Sequence, residues 1–285
     1  MENRREPSAA LGATRDEVIG ALRRLLPRLD GAAGGDVLPF GIADLDARLP
    51  GGGLALGALH EIAPETAADM PAALGFAVAL AGRLPGRAPV FVVETPRGLA
   101  GLGALSAHGF AGLGLDPARL VLVSAADDRD GLWAVEEALN SGGPAGILAA
   151  LGGAVDLKAS QRLQRAAAGS GRPLLLLRTA GAVGTSVAMT RWRIAAAPAA
   201  RDPFGLVAAW RWRVRLERCR NGRPGAWLLE RDPEPPALVV PHTEILEAES
   251  GEVDHAAHRF RLAAPLADPA LAERPREGGG AAAAS

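Results

Sequence analysis

Residues 38–70 read LPFGIADLDARLPGGGLALGALHEIAPETAADM, and the passage from Ala58 to Arg83, inside and just beyond this stretch, decides the fold. Ala58-Leu59-His60-Glu61-Ile62 has the length and apolar content of a buried strand, and Pro71 to Arg83 reads as an apolar helix with proline in its first turn, where the missing N–H costs nothing. Between them lies the turn Ala63-Pro64-Glu65-Thr66-Ala67-Ala68-Asp69-Met70. A strand, a tight turn and a helix open a doubly wound α/β domain, and that first turn is where a Gly-rich phosphate cradle usually sits. Laid over G-x-x-x-x-G-K-[ST], the first Gly is Ala63, the second Ala68, the Lys Asp69 and the metal-binding hydroxyl Met70, so every signature position fails. No other place in the chain can supply the cradle, because Lys158 is the one Lys among 31 basic residues and sits in Leu157-Lys158-Ala159. Asp69 also puts a negative charge where a cation must meet phosphate. At about 4 Å and an effective dielectric of about 20, this reverses a contribution of roughly 4 kcal/mol per phosphate charge. Its alternative role is as cap of the helix that starts near Pro71.

Beyond this unit the pattern keeps alternating. Val90 to Val93, Leu120 to Ser124, Gly146 to Leu151 and Pro173 to Leu177 read as strands; Leu99 to Gly109, Asp130 to Asn140 (with Asp130 as N-cap) and Lys158 to Ala168 read as helices. The strands are continuous apolar runs, as expected of a parallel sheet covered on both faces. After Arg178 strands follow without helices: Val187 to Ala195, Val207 to Glu217 and Ala226 to Leu229, with turn chemistry at Asn221-Gly222 and Arg223-Pro224-Gly225. The expected fold is α/β, with a doubly wound, mostly parallel sheet carrying an antiparallel extension at its C-terminal edge. The expected organisation is an N-terminal helix (Arg15 to Leu29) and Gly-rich linker over 1–36, a core over 37–230, and an acidic, partly disordered tail over 231–285, with 268–285 lacking apolar spacing.

The chain has 285 residues, 48% hydrophobic and 22% charged, with no Tyr and a net charge of -1. Such a balance excludes global electrostatic attraction to nucleic acid and directs attention to local patches. Cys219 stands alone, which excludes an intrachain disulfide and a cysteine-rich zinc site and fits a reducing compartment. No secretory signal follows the first charged residues, and the uncharged stretch Leu99 to Leu115 is Gly-interrupted, so a cytoplasmic protein that does not span a membrane is expected.

Charge is unevenly spread. Nine Arg and two acids lie between Arg191 and Arg223, whereas Glu230 to Asp254 carries eight acids and one Arg. If Trp210 to Leu216 is a strand, Trp210, Trp212, Val214 and Leu216 face one side while Arg211, Arg213 and Arg215 line the other. With Arg218 and Arg220, these residues form the candidate surface for a protein partner or DNA phosphates. The bland alternative is a solvated edge strand whose Arg pair with the acidic tail while Trp fills the core. Other polar groups suggest less. Gly146 to Leu151 carries no acid at its end, and Asp156 lies too far along. Glu94 either activates a water or is a solvated strand-end carboxylate, Asp127-Asp128-Arg129-Asp130 reads as a loop ending in a cap, and His255 and His258 lack a third metal ligand. No cofactor and no metal are expected.

Gly41, Leu45-Asp46, Leu49, Gly51-Gly52-Gly53-Leu54, Gly57 and Glu61-Ile62 resemble the segment leading into the nucleotide loop of the RecA recombinase family, a likeness extending from about Leu38 to Leu229. That lead-in, followed by a loop without Gly-Lys-Thr and by the Trp- and Arg-rich ending 210–229, resembles the RecA-like ImuA family of bacterial damage-inducible mutagenesis cassettes. The resemblance implies a non-catalytic accessory role in translesion synthesis under the SOS response, with an ImuB-type polymerase homologue and an error-prone DnaE-type polymerase as partners and RecA and DNA as further candidates. It likens the N-terminal helix to the one RecA proteins use for subunit contact. The chain departs from RecA after Leu177, where Arg178-Thr179-Ala180-Gly181 and a short loop stand in place of a polar sensor and a DNA-binding loop. Two other readings are a SulA-like division inhibitor that binds FtsZ and a divergent RecA-family ATPase.

Overall fold

A computed structural model describes residues 35–153, 155–181, 184–231 and 261–265. The expectations for Arg15 to Leu29, His255, His258 and 268–285 fall outside the described residues.

Among the described residues eleven strands and five α-helices follow one another. The strands are β1 (Val37–Leu38), β2 (Leu54–Ala55), β3 (Leu59–Pro64), β4 (Val90–Glu94), β5 (Leu120–Ser124), β6 (Gly146–Ala150), β7 (Leu174–Leu177), β8 (Thr190–Arg201), β9 (Val207–Cys219), β10 (Gly225–Arg231) and β11 (Arg261–Pro265). The helices are α1 (Ala43–Asp46), α2 (Met70–Gly82), α3 (Ala107–Gly112), α4 (Asp128–Ser141) and α5 (Leu157–Ser170). β1 and β2 pair with each other, and the remaining nine strands form one sheet in the order β11-β10-β9-β8-β3-β7-β6-β4-β5. From β8 to β5 every neighbouring pair is parallel. From β8 to β11 every pair is antiparallel. This is the expected RecA-like α/β architecture with an antiparallel extension at one edge, and β11 adds a strand from the region following Arg231.

Two apolar layers hold the sheet. On one face α2 presses Phe76, Val78 and Leu80 against Ile62, Leu175, Leu177, Trp192 and Ile194. The lead-in segment closes that layer with Phe40, Ile42, Leu45, Leu49 and Leu54. On the other face α4 and α5 bring Val135, Leu139, Leu163 and Ala167 onto Leu59, Ile147, Ala149, Leu174 and Leu176. Covered from both sides, β6 and β7 are buried along their whole length, which is why they read as unbroken apolar runs. The lead-in is tied to the far hairpin as well: Trp227 Nε1 donates to Asp44 Oδ2 at 2.7 Å, and the Arg48 guanidinium lies 5.8 Å from the Trp227 ring centre.

His60 of β3 and Thr190 and Trp192 of β8 form a buried hydrogen-bonded chain. His60 is fully buried, with Nε2 2.8 Å from the Ala55 carbonyl oxygen and Nδ1 2.7 Å from Thr190 Oγ1. Trp192 Nε1 donates to the same Thr190 oxygen at 2.7 Å. The network therefore suits a neutral imidazole that donates through Nε2 and accepts at Nδ1 from the Thr190 hydroxyl. Burial pushes the His60 pKa from its ordinary 6.5 down to about 4, against the pull of the Ala55 hydrogen bond.

Three sequence expectations need correction. The helix expected over Leu99 to Gly109 is α3, Ala107–Gly112, because Gly101 and Gly103 take positive φ (85° and 72°) and break any helix before Ser106, whose side chain caps the new start. Asp130 does not cap α4; Asp127 does, accepting from the N–H groups of Arg129 and Asp130, so the run 128–130 forms the first turn. Asp69 does not cap α2 through its side chain, which is engaged elsewhere.

Candidate functional site

The carboxyl ends of the parallel strands are where a fold of this kind places its ligand. At the end of β3 the chain passes Glu65 and Thr66, makes a single 3₁₀ turn over Ala67–Asp69 and enters α2. Ala63, at the first glycine position of the phosphate motif, lies inside β3 opposite Arg193 and is 4% exposed. Met70, at the hydroxyl position, packs into the core with α2. Ala68 belongs to the 3₁₀ turn. Asp69, at the lysine position, turns its carboxylate back on the loop. Oδ2 accepts from the Thr66 N–H at 3.0 Å and from the Thr66 hydroxyl at 2.6 Å, while Oδ1 accepts from the Ala196 N–H of β8 at 2.9 Å. Burial alone raises the Asp69 pKa, but the bonds from Thr66 and Ala196 and the charge of Arg213 outweigh it and hold the carboxyl below its ordinary range. A carboxylate of the chain itself thus takes the N–H of Thr66 that an anion in a phosphate loop could use. Thr66 and Asp69 stand at capping-box spacing, a signal legible in the sequence; Ala196 is 127 residues away and was not.

The strand end expected to lack an acid lacks one: β6 runs from Gly146 to Ala150 with every residue buried. Asp128 of α4 reaches across instead, accepting from the Thr95 hydroxyl at 2.8 Å and the Gly152 N–H at 3.0 Å. The turns after β4 and β6 lie against each other so closely that a Cβ on Gly98 would overlap the Ala150 carbonyl, and one on Gly152 would overlap Arg97. Asp156 caps α5 by accepting from the Ala159 N–H at 2.7 Å. Glu94 sits three strand positions from β3, accepts from the Ser124 hydroxyl at 2.8 Å through Oε1, and borders a cleft of about 410 Å³.

The arginine stripe forms as its alternation predicts. Trp212, Val214 and Leu216 are 4%, 1% and 0% exposed, whereas Arg213 and Arg215 face solvent and Arg211 is half-buried. β8 adds Arg191 and Arg193 to the same face through the register Arg193↔Arg215 and Ala197↔Arg211. These two were missed, although Arg191-Trp192-Arg193-Ile194 repeats the alternation of β9.

Much of this charge is paired within the chain. Arg193 grips Glu217 with two hydrogen bonds of 3.0 and 3.1 Å, and Arg211 Nε donates to Glu230 at 2.6 Å. Arg191 donates to the buried Glu61 at 2.9 Å, with Arg178 3.6 Å from its other oxygen. Arg215 reaches Glu65 and Glu217 at 3.4 Å. Arg213 makes no ion pair among the described residues. Arg218 stands opposite Arg191 near the end of β9 and donates to the Ser186 carbonyl, while Arg220, beyond the strand, donates its N–H to that of Met189. Trp210 differs from its stripe-mate Trp212 in being 48% exposed.

Among the described residues no helix is long and apolar enough to cross a membrane. No protein-family model matches the chain. Two curated relatives, both called protein ImuA and both from Caulobacter vibrioides (strain NA1000 / CB15N and strain ATCC 19089 / CIP 103742 / CB 15), are each 37% identical to it over 254 residues, covering 81% of this chain and 91% of the relative. Identity at that level across nearly the whole relative, on a RecA-like sheet whose phosphate turn is held by Asp69, makes this chain a member of the ImuA family.

Proposed function

We propose that the protein is a non-catalytic, RecA-like accessory factor of SOS-induced mutagenic translesion DNA synthesis, working by binding an ImuB-type polymerase homologue and an error-prone DnaE-type polymerase. Family membership supports the link to the damage-inducible mutagenesis cassettes. The observation that carries the non-catalytic part is the Asp69 carboxylate, which takes the Thr66 N–H and bridges to Ala196 where a phosphate loop would present a lysine and open N–H groups. With no acid at the end of β6, a metal-bound nucleotide also lacks its second anchor. A scaffold keeping this sheet without that chemistry is suited to presenting surfaces, and the arginine face of β8 and β9 and the exposed Trp210 are the ones it offers.

The test is affinity capture of the tagged protein from DNA-damaged cells, together with calorimetric titration of the purified protein with Mg-ATP. Co-recovery of the ImuB-type and DnaE-type proteins and no heat of nucleotide binding are expected. Recovery of FtsZ in their place would favour the division-inhibitor reading. The Glu94 cleft favours the ATPase alternative, and Mg-ATP turnover lost in Glu94→Gln would establish it. Replacing Arg211, Arg213 and Arg215 together by Glu should weaken binding of partner or DNA; unchanged binding with the fold intact would remove the stripe from the interface.

A further inference from the structure

Among the described residues the nine-stranded sheet ends on β5 at one edge and on β11 at the other. The two edges differ in what protects them. β11 reads Arg-Leu-Ala-Ala-Pro, with a charge at its start and a proline at its end, whereas β5 reads Leu-Val-Leu-Val-Ser and carries neither. β5 also pairs with β4 over its whole length, Leu120 to Ser124, without a bulge to turn its free side away. A regular, uncharged, apolar edge strand is the form that joins another strand; edges kept single carry lysine, proline or a bulge.

Both faces are open at this edge. Leu120 packs on the apolar layer of α2 and Val123 on that of α4, so by alternation Leu122 and Ser124 point with Leu120, and Val121 points with Val123. Leu122 is 45% and Val121 37% exposed, one on each face, so no covering element overhangs the strand. The direction of the free backbone groups follows from one contact: the Ala125 N–H donates to the Glu94 carbonyl at the end of β4. Counting back by two, Val123 and Val121 also turn their N–H and C=O groups to β4, and those of Leu122 and Ser124 turn outward, where no described strand meets them. The Leu120 carbonyl points the same way, while the Leu120 N–H bonds to the Pro117 carbonyl.

We propose that β5 pairs with β5 of a second copy of this chain, antiparallel about a two-fold axis through Leu122, joining two sheets into one. The strand is its own complement. In this register Leu122 meets the partner's Leu122, Val121 meets the partner's Val123 and Leu120 meets the partner's Ser124, so apolar side chains match on both faces. The outward groups match as well: each Leu122 N–H reaches the other Leu122 carbonyl, and each Ser124 N–H reaches the other Leu120 carbonyl. Sliding the pair by two residues leaves one end of each strand unmatched, and sliding by one sets side chains of opposite faces together. No charge on the strand calls for a complementary partner of another kind, and closed two-fold pairs are the commonest assembly of soluble chains. This contact is independent of the partner-binding reading above.

The test is sedimentation of the full-length protein over a range of concentrations. A closed dimer of twice the 29.2 kDa chain, in reversible exchange with monomer, is expected. Leu122→Lys sets like charges directly opposite each other across the axis. Leu122→Pro removes the outward donor and leaves the ladder to β4 intact, because an edge strand tolerates proline where the missing N–H would face solvent. The two-fold axis duplicates each change, so each raises the dimer dissociation constant about tenfold or more. Trp133→Ala, which removes an exposed side chain of α4, leaves it unchanged. Leu122→Cys brings two thiols together on Cα atoms about 5.5 Å apart, within disulfide range, so mild oxidation gives a covalent dimer that Trp133→Cys does not. Circular dichroism checks that each variant is folded. A wild type that stays monomeric, masses that grow past the dimer without closing, or a dimer indifferent to the Leu122 variants overturns the inference. If the wild type stays monomeric and Leu122→Lys abolishes binding of another protein, the second copy is excluded and the edge belongs to a strand of that protein.

Discussion

Replacing Asp69 by alanine asks whether one carboxylate holds the phosphate turn shut. Three donors converge on it: the Thr66 N–H and hydroxyl on Oδ2, and the Ala196 N–H of β8 on Oδ1. Hydrogen bonds to an ionised acceptor contribute about 1.5–3 kcal/mol each when removed singly. The two from Thr66 share one oxygen and face solvent, so together they are worth about 1 kcal/mol, and the bridge to β8 about 1.5 kcal/mol. Asp69→Ala should therefore cost about 2–3 kcal/mol, or roughly 5–10 °C in Tm. Because hydrogen bonding holds the folded pKa of Asp69 below the ordinary carboxylate value, its contribution is complete above that value and is lost as the pH falls through the folded one. Urea unfolding of wild type and variant from neutral pH downward is the assay, with the difference between them shrinking in acid. Asp69→Asn, which keeps the shape and loses the charge, should fall between the two. A neutral-pH loss under about 0.5 kcal/mol, or a difference that survives acidification, would refute the account of the closed turn.

Three further outcomes are expected. His60 is buried neutral with a pKa of about 4 against 6.5, so the unfolded chain binds the extra proton and stability falls by about 3 kcal/mol as the pH drops from 6.5 toward 4. His60→Gln should flatten that slope in urea titrations, and parallel curves would contradict it. Phe76→Ala should cost about 3–5 kcal/mol in chemical denaturation, because Phe76 is fully buried and packs 6.1 Å from Trp192 and 6.2 Å from Trp212 between ring centres. Cys219, whose thiol is pushed up by burial from 9.0 to about 11, should react with a disulfide reagent at mildly alkaline pH about a hundredfold more slowly in the folded than in the unfolded protein; equal rates would place it in water.

The centre of the sheet was legible because β6 and β7 are buried on both faces, so they had to be unbroken apolar runs whatever surrounds them. The failed cradle was equally legible, since phosphate chemistry needs particular residues at fixed spacing and Ala63, Ala68, Asp69 and Met70 are not those residues. Boundaries were weaker wherever a glycine chose the conformation, as at Gly101 and Gly103 ahead of α3.

What the sequence by itself determined is the set of local commitments: which runs are strands, which turn lacks its lysine, and that Arg and Trp alternate along β9. Tertiary structure alone decided how those commitments were used. Asp69 could be read as a helix cap until β8, arriving from 127 residues away, offered it the Ala196 N–H. Trp210 and Trp212 are equivalent in the strand pattern, yet Trp212 is buried beside Phe76 of α2 while Trp210 stands exposed. Periodicity specifies a face; whether that face meets a helix or water depends on the elements packed beside it.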